Sequence, residues 1–404
     1  MEGPVNFRSR GTGFPYLSTD EGIRVKIFKM KILILTNNPN QGSTARVLPV
    51  WVDGLQEAGC RVITAGPSGS LADAFTVGGR AFHRMNTPRF SKNNLPILLW
   101  HAFLIRSRFG RVDLVHCNEH NVWPIGSIIA KVHTAATVCH ARFTIPKEFG
   151  QWAFKRFGRP GSLLWTSEFQ KQAAQPWITD IVPESDQYMV KLGLNVQGFG
   201  MNSNKGQSIR KSFGIPDDAI LVGSASPFRP IKHIEETFEI VKRLRTFFPN
   251  VFGVCIGGSI PGEEQYFQQM QNLIKTSGAS DWFFTPGHID DVESFYHAMD
   301  MYVSTSFVET FGNSVVEAML CGKPVLAYEG GSVKEVVGDV GFICQNGQLH
   351  EIVEKAKSWI INRSEMSAVG GSSRKRAMDN YNAKDRIGDL LEIYKKVLSD
   401  RNSG

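Results

Sequence analysis

Two glutamates whose side chains could take part in a reaction flank a glycine loop in the second half of the chain. Glu309 precedes Gly312, and Glu317 follows it, three residues after Ser314. Ser-x-x-Glu is the spacing of a helix capping box, so a helix is predicted to begin near Ser314 and to end at Gly322. Its free backbone N–H groups would face the loop that carries Glu309. This arrangement favours a bound phosphate beside a hydroxyl group that a carboxylate holds.

The elements that must position this loop alternate between strands and helices. Apolar runs of strand length occupy residues 31–36, 60–65, 112–117 and 134–140 in the first half, and residues 220–224, 251–256, 282–285, 300–304 and 325–328 in the second. Segments with helical spacing lie between them, and residues 195–217 have the composition of a linker. The sequence therefore predicts an α/β fold of two doubly wound, Rossmann-like domains that face a central cleft.

Four residues of the first half lie where such a sheet binds ligands, at the carboxyl ends of its strands. Gly42 and Glu119 follow predicted strands, and His116 and His140 lie near the ends of two others. The alternative for Gly42 is a plain turn, and the alternative for each histidine is a buried structural role, which the residues alone favour. No cluster of His, Cys and carboxylates has metal-ligand spacing, so no metal site is predicted.

Composition narrows the class of protein. The chain is 42% hydrophobic and 21% charged, as in ordinary globular domains. No apolar stretch reaches the length of a membrane-spanning helix, and residues 1–29 lack the apolar core of a signal peptide. The six cysteines are scattered without a C-x-x-C pair, which indicates reduced thiols in the cytoplasm.

Positive charge is concentrated in the first half. Residues 1–197 contain 23 Lys and Arg against 13 Asp and Glu, a net charge of +10, whereas the remainder carries −3. This half would suit an anionic surface such as membrane lipid or nucleic acid, and the alternative is an ordinary solvated surface. Residues 95–105 add an apolar, helix-like segment with a basic flank, which would either dock on a membrane or lie buried with a solvated rim.

The motif Glu-Thr-Phe-Gly-Asn-Ser-x-x-Glu-Ala-Met-x-x-Gly-x-Pro-Val, followed by Gly-Gly-x-x-x-Glu, occupies residues 309–325 and 330–335. It resembles the signature of retaining glycosyltransferases of the GT-B fold, in family four of the glycosyl transferases group 1 type. That family includes sucrose synthases and bacterial mannosyl- and glucosyltransferases. The resemblance spans residues 30–398 and is weaker in the first half, where it rests on Gly42 and on residues 113–116 and 137–140.

The resemblance implies two sets of site residues. The catalytic set is Glu309, His140, Lys232 and Arg229. The donor-binding set is Gly42, Phe311, Gly312, Asn313, Ser314 and Glu317. Glu309 and His140 would lie against the donor sugar, and Glu317 would bind the ribose hydroxyls. The two cations would neutralise the departing diphosphate.

One departure from the family pattern affects this assignment. The family usually has Gly-Arg-Leu before Pro-x-Lys-Gly, whereas Ser226, Pro227 and Phe228 stand at the first three positions here. The usual arginine is therefore absent at Pro227, and Arg229 is predicted to supply its charge. His233 replaces the glycine that usually follows the lysine.

The resemblance also implies a domain plan. Residues 1–29 would be a flexible extension, and residues 30–197 an acceptor-binding Rossmann-like domain. Residues 198–383 would be the donor-binding Rossmann-like domain, and residues 384–404 a helix crossing back to the first domain.

The implied function is retaining transfer of a sugar from a UDP- or GDP-sugar to a glycan, lipid-linked or small-molecule acceptor. No metal, cofactor or nucleic acid is expected. We expect a cytoplasmic enzyme of cell envelope polysaccharide biosynthesis, with a peripheral contact to the inner membrane through its basic N-terminal domain. The alternatives are a sugar-nucleotide 2-epimerase and a non-catalytic nucleotide-sugar-binding protein.

Overall fold

The computed structural model describes residues 30–39, 43–86, 92–200, 205–260 and 262–402. The first part of this chain folds into seven strands and six helices: β1 (Lys31–Leu35), α1 (Ser43–Glu57), β2 (Arg61–Gly66), α2 (Ser70–Val77), β3 (Phe82–Arg84), α3 (Leu95–Phe109), β4 (Leu114–Cys117), α4 (Trp123–His133), β5 (Ala136–Ala141), α5 (Lys147–Phe157), β6 (Ser162–Trp165), α6 (Glu168–Ile178) and β7 (Gln187–Met189).

The second part contributes six strands and nine helices: α7 (Gly206–Ser212), β8 (Ile220–Ala225), α8 (Ile234–Arg245), β9 (Val251–Ile256), α9 (Glu264–Thr276), β10 (Phe283–Gly287), α10 (Val292–Ala298), β11 (Met301–Ser304), α11 (Asn313–Leu320), β12 (Val325–Tyr328), α12 (Val333–Val337), β13 (Phe342–Cys344), α13 (Leu349–Ile361), α14 (Arg363–Tyr381) and α15 (Ala383–Asn402). Among the described residues, no helix is both long and apolar enough to cross a membrane.

The strands form two sheets, with the orders β3-β2-β1-β4-β5-β6-β7 and β10-β9-β8-β11-β12-β13. Every pairing recorded between neighbouring strands is parallel. Each order reverses direction once, between β1 and β4 in the first sheet and between β8 and β11 in the second. Such switch points form the ligand crevice of a doubly wound sheet. The predicted fold of two Rossmann-like units is confirmed.

The first sheet is covered on both faces, as the alternation of its strand residues requires. Ile32 and Ile34 of β1 belong to an apolar cluster with residues of α1 and α15. Leu33 and Leu35 belong to a second cluster with residues of α3, α4 and α5. The uninterrupted apolar run of β1 is thus explained by burial on both sides.

Two chain crossings lie side by side between the sheets. The N–H of Leu194 donates to the carbonyl of Tyr381 at 2.7 Å, and the N–H of Ala383 donates to the carbonyl of Leu194 at 2.9 Å. Helix α15 then packs against α1 and β5 of the first sheet, where Tyr394 Oη lies 2.5 Å from His116 Nδ1. The last helix of the chain therefore completes one face of the first sheet.

The structure differs from the expectations mainly where the sequence lacks clear periodicity. Helix α2 and strand β3 lie in residues 66–111, for which only a helix at 95–105 is predicted. Helix α14 contains Gly370, whose absent side chain leaves room for the backbone carbonyl of Gly322. Close backbone packing of this kind leaves no apolar pattern to detect. The predicted extension at residues 1–29 and the site candidate Gly42 lie outside the described residues, and the predicted domain limits remain predictions.

Candidate active site

The carboxylate of Glu309 forms an ion pair with Lys232 at the switch point of the second sheet. Lys232 Nζ lies 2.5 Å from Glu309 Oε1, and Ser306 Oγ donates to the same oxygen at 2.9 Å. The two charged side chains are only 12% and 13% exposed. An ion pair this well shielded from water is stronger than a surface pair. The structure therefore brings two residues of the predicted catalytic set into direct contact.

Lys232 is held by a tight turn after β8. It ends a short 3-10 turn, Pro230–Lys232, and the next residue, His233, has a φ of 47° in the left-handed region. Thr305 Oγ1 donates to the carbonyls of Lys232 and His233, at 3.0 and 2.8 Å. The His233 ring stacks on Phe307 with centroids 3.7 Å apart. The left-handed backbone explains the glycine expected here, because only glycine adopts it without strain.

Two glycines after β12 fix the loop that carries Glu309. The Glu309 carbonyl accepts from the N–H of Ser332 at 2.9 Å, and its N–H donates to the carbonyl of Gly330 at 3.3 Å. Gly331 has a φ of 67°, and a Cβ atom there would lie 2.1 Å from the Glu309 carbonyl oxygen. A side chain at residue 331 would therefore displace Glu309. The Gly-Gly sequence has a direct structural cause.

Helix α11 begins as expected beside this loop, but without a capping box. Gly312 caps it with a φ of 86° and no side-chain cap bond. Ser314 Oγ instead accepts from Tyr302 Oη at 2.9 Å, and Glu317 Oε2 accepts from Tyr296 Oη at 2.8 Å. The capping-box interpretation is wrong, because the left-handed glycine takes the cap position and Ser314 lies inside the helix. Burial is the main cause of a raised pKa at the Tyr302 hydroxyl.

The remaining second-half candidates from the two predicted sets lie in different surroundings. Phe311 is buried, and its ring contacts Tyr381 with centroids 5.6 Å apart. Asn313 is the first residue of α11. Arg229 is half-exposed and pairs with Glu263 at 3.0 Å instead of with Glu309. The structure thus separates the two predicted cations, and of these two it is Lys232 that contacts the Glu309 carboxylate.

His140 lies inside the first sheet's packing, in a stack of rings. It is fully buried between Trp51 and His116, with centroid distances of 5.5 and 5.7 Å. Neither ring nitrogen of His140 has a partner with full hydrogen-bond geometry among the described residues. The backbone of Val190 is nevertheless close enough to raise the pKa of His140. Burial outweighs this and, with Arg142 and His116 nearby, holds the pKa well below its usual value. The predicted contact of His140 with the donor sugar stays a prediction.

A buried polar network occupies the carboxyl ends of β1, β4 and β5. Glu119 accepts from Thr36 Oγ1 at 3.0 Å, from the Asn37 N–H at 3.2 Å and from Asn118 Nδ2 at 2.6 Å. Arg142 Nη2 donates to Asn118 Oδ1 at 2.8 Å. Burial raises the pKa of Glu119 and lowers that of Arg142 to about 9. Glu119 therefore holds the start of the loop that leads to Gly42.

Sequence reasoning named Glu119 but missed Arg142. The signal for Arg142 was its place two residues after His140, just beyond a predicted strand. Among the described residues, no group of three or more His, Cys, Asp or Glu could hold a metal ion.

Direct contacts across the cleft join residues of the second-half motif to first-half residues that the sequence did not single out. Ser167 Oγ donates to the carbonyl of Thr310 at 2.8 Å. The N–H of Glu168 donates to Glu335 Oε2 at 2.9 Å, and Lys191 Nζ lies 3.3 Å from Glu335 Oε1. Glu335 ends the Gly-Gly-x-x-x-Glu motif, so this residue joins the two halves of the molecule beside the Glu309 loop.

We expect the His233 backbone to distinguish glycine from alanine. Both His233→Gly and His233→Ala lose the stacking on Phe307, but only alanine keeps the left-handed strain. The glycine variant should be more stable to urea by about 0.5–1 kcal/mol, after allowing for its more flexible unfolded chain. Gln268, an exposed residue within helix α9, is the control position. There the alanine variant should be more stable than the glycine variant. An alanine variant at residue 233 as stable as the glycine variant would contradict the assigned conformation.

We expect the buried imidazoles to make the protein sensitive to acid. Burial, with a smaller contribution from Arg142, lowers the pKa of His116 to about 3. The unfolded chain binds a proton near pH 6.5 and the folded chain does not, so stability falls as the pH drops below about 6.5. Between about pH 7.5 and 5.5, wild-type protein should lose about 1.4 kcal/mol more than His116→Gln in urea unfolding. Equal losses would show that His116 is charged in the folded protein.

Residues 206–380 match the family described as Glycosyl transferases group 1. The chain is 23% identical over 198 residues to N-acetyl-alpha-D-glucosaminyl L-malate synthase of Bacillus anthracis, a match that covers 48% of this chain and 50% of that protein. It is 22% identical over 342 residues to sulfoquinovosyl transferase SQD2 of Arabidopsis thaliana, covering 79% and 64%. The chain thus spans less than two thirds of the length of these relatives.

Solved structures share the fold over nearly the whole described chain. HepE of Anabaena, determined with UDP and glucose, is similar with a TM-score of 0.77 at 19% identity, covering 90% of this chain and 98% of that one. Sucrose-phosphate synthase of Thermosynechococcus elongatus is similar with a TM-score of 0.75 at 15% identity, covering 92% and 100%. The architecture is the GT-B fold, and within it residues 206–380 match the Glycosyl transferases group 1 family.

Proposed function

We propose that this protein is a glycosyltransferase that moves a hexose from a nucleotide-diphosphate sugar to an acceptor hydroxyl. The observation that carries the proposal is the Lys232–Glu309 pair beside the N-terminal end of α11. It lies within the domain that matches Glycosyl transferases group 1. A cation, a carboxylate and the N-terminal end of a helix at one switch point suit a sugar joined to a diphosphate.

On donor binding, the diphosphate of the donor would replace Glu309 as the partner of Lys232. The diphosphate would attract Lys232 Nζ, which the structure places on the Glu309 carboxylate, and the N-terminal N–H groups of α11 would hold the phosphate oxygens. Glu309, released from the lysine, would then accept hydroxyl hydrogens of the sugar. The pair keeps both charges satisfied before the donor arrives.

The transfer itself breaks the bond between the anomeric carbon and the diphosphate oxygen. Negative charge grows on the departing diphosphate, and Lys232 and the helix N-terminus stabilise this charge more in the transition state than in the bound donor. The acceptor oxygen bonds to the anomeric carbon from the same face, and its proton passes to the departing phosphate. The sugar therefore retains its configuration, and Glu309 binds the sugar without forming a covalent intermediate.

Contacts between the two halves would keep water from the activated donor. Ser167 reaches Thr310, the residue after Glu309, and Glu335 holds Lys191 and the backbone of Glu168. Excluding water matters because hydrolysis competes with transfer.

The finer assignments rest on the relatives. The UDP and glucose named for HepE support a UDP-sugar donor, and a GDP-sugar is the second candidate. One relative is a synthase whose name includes L-malate, a small molecule. The proposed acceptors therefore include small molecules as well as glycans and lipid-linked molecules. The cytoplasmic location of the enzyme and its role in cell envelope polysaccharide biosynthesis remain predictions.

Release of nucleotide from a panel of UDP- and GDP-sugars tests the proposal. We expect Lys232→Ala to lower kcat/KM by about 10²–10³-fold, because it removes a cation aimed at the leaving group. Glu309→Gln should lower it by a similar factor. Lys211→Ala, an exposed lysine of α7, is the matched control and should keep wild-type activity.

Three outcomes would contradict this proposal. Donor binding without release from any sugar nucleotide would indicate a binding protein. Conversion of the donor to its epimer without transfer would indicate a 2-epimerase. Near-normal rates in both variants would place the site elsewhere.

The position of Arg229 predicts that its substitution lowers kcat/KM less than substitution of Lys232 does. Its guanidinium is half-exposed and bound to Glu263, so Arg229→Ala should lower kcat/KM by about tenfold or less. Glu263→Gln frees Arg229 and should leave activity equal or raise it. An effect of Arg229→Ala as large as that of Lys232→Ala would show that the arginine leaves Glu263 when the donor binds.

A further inference from the structure

Helix α3 presents an apolar face to solvent. Ile97, Trp100 and Phe103 are 52%, 61% and 57% exposed, and they recur at three-residue intervals on one side of the helix. The span from the first to the third is about 9 Å along the axis. Large exposed side chains scattered singly are ordinary, but three on one helix face mark an interaction surface.

The other side of α3 is fixed in the core of the first sheet. Leu98, Ala102 and Ile105 are fully buried in the cluster that covers β1, β2 and β4. The helix is therefore apolar on both sides, a composition typical of a helix covered all round. Among the described residues nothing covers its outer face, so the face is open to an occupant.

The charge around this face indicates what kind of surface it binds. Residues 95–112, which include α3, contain Arg106, Arg108 and Arg111 and no Asp or Glu. Arg106 and Arg108, in the last turn of α3, are both exposed. Tryptophan and phenylalanine beside basic residues suit the boundary between anionic headgroups and acyl chains. A second copy of this chain fits poorly, since symmetric pairing would bring two sets of arginines together.

We propose that the outer face of α3 docks on an anionic lipid bilayer. Ile97, Trp100 and Phe103 enter the headgroup–acyl boundary, and Arg106 and Arg108 contact anionic headgroups. The inference is independent of the sugar transfer proposed above, because it rests on this face and its charge alone.

The direction of α3 connects this surface to the candidate site. Lys31, at the start of β1, donates through Nζ to the carbonyl of Phe109 at 2.9 Å, so the helix ends at the amino edge of the sheet. Ile97 and Trp100 therefore lie toward the carboxyl edge, where the network around Glu119 lies. Phe143, exposed just after β5, lies at the same edge. A bilayer on α3 would thus approach the mouth of the cleft.

Vesicle co-sedimentation of the full chain tests the proposal without any sugar donor. Vesicles of equimolar phosphatidylcholine and phosphatidylglycerol should bind wild-type protein, and vesicles of phosphatidylcholine alone should bind it more weakly. Raising the salt concentration should weaken binding to the anionic vesicles. The double variant Ile97→Asp/Trp100→Asp should lower the partition coefficient on anionic vesicles by at least about tenfold.

Matched variants separate lipid docking from general surface effects. Phe247→Asp and Ile361→Asp change side chains that are 56% and 74% exposed in the second half of the molecule, and they should bind vesicles within about twofold of wild type. Arg106→Gln and Arg108→Gln should each lower binding to anionic vesicles by about fivefold and leave binding to phosphatidylcholine unchanged. Circular dichroism and thermal midpoints close to wild type establish that each variant is folded.

Three results would overturn the proposal. Absence of binding to anionic vesicles would exclude a lipid surface. Equal loss in the α3 variant and the two control variants would show that the face has no special role. Sedimentation of wild-type protein as a dimer that Ile97→Asp/Trp100→Asp converts to monomer, without vesicle binding, would assign the face to a second copy.

Discussion

A carboxylate and an ammonium that are both shielded from water must remain together, and in this protein that constraint joins two loops. Glu309 follows β11 and Lys232 follows β8, and these neighbouring strands form the switch point of the second sheet. Separating two such charges without replacing either partner is costly. The loops around the site are therefore ordered before any ligand binds, and a diphosphate is the kind of ligand that can replace the carboxylate. The hydroxyl of Thr305, the glycines at 330 and 331 and the left-handed His233 all support this one contact.

The parts of the molecule that follow from the sequence are those with a local cause. The strands are short apolar runs because parallel strands are covered on both faces, and the glycines around α11 have positive φ or lie against a backbone carbonyl. From these patterns the fold class and the position of α11 were predictable.

What could not be predicted depends on partners distant in the chain. The spacing of Ser314 and Glu317 indicated a capping box, but Tyr302 and Tyr296 provide their hydrogen bonds. Arg229 has the right charge and nearly the right position, yet Glu263, in the segment before α9, binds it. The ring stack around His140 depends on α1 and α15, which approach β5 from opposite ends of the sequence. No local pattern specifies which of several polar partners a side chain meets after folding.

The paired crossings at Leu194 and Ala383 also determine when the protein can complete its folding during synthesis. Because α15 covers a face of the first sheet, the first half of the chain lacks one of its packing layers until residues 383–402 have been made. The second sheet, by contrast, has all its strands before α15 is translated. On the ribosome the second half of the described chain is thus the first to have its full set of strands and helices, although it is synthesised second. The order of synthesis and the order of completion are therefore opposite.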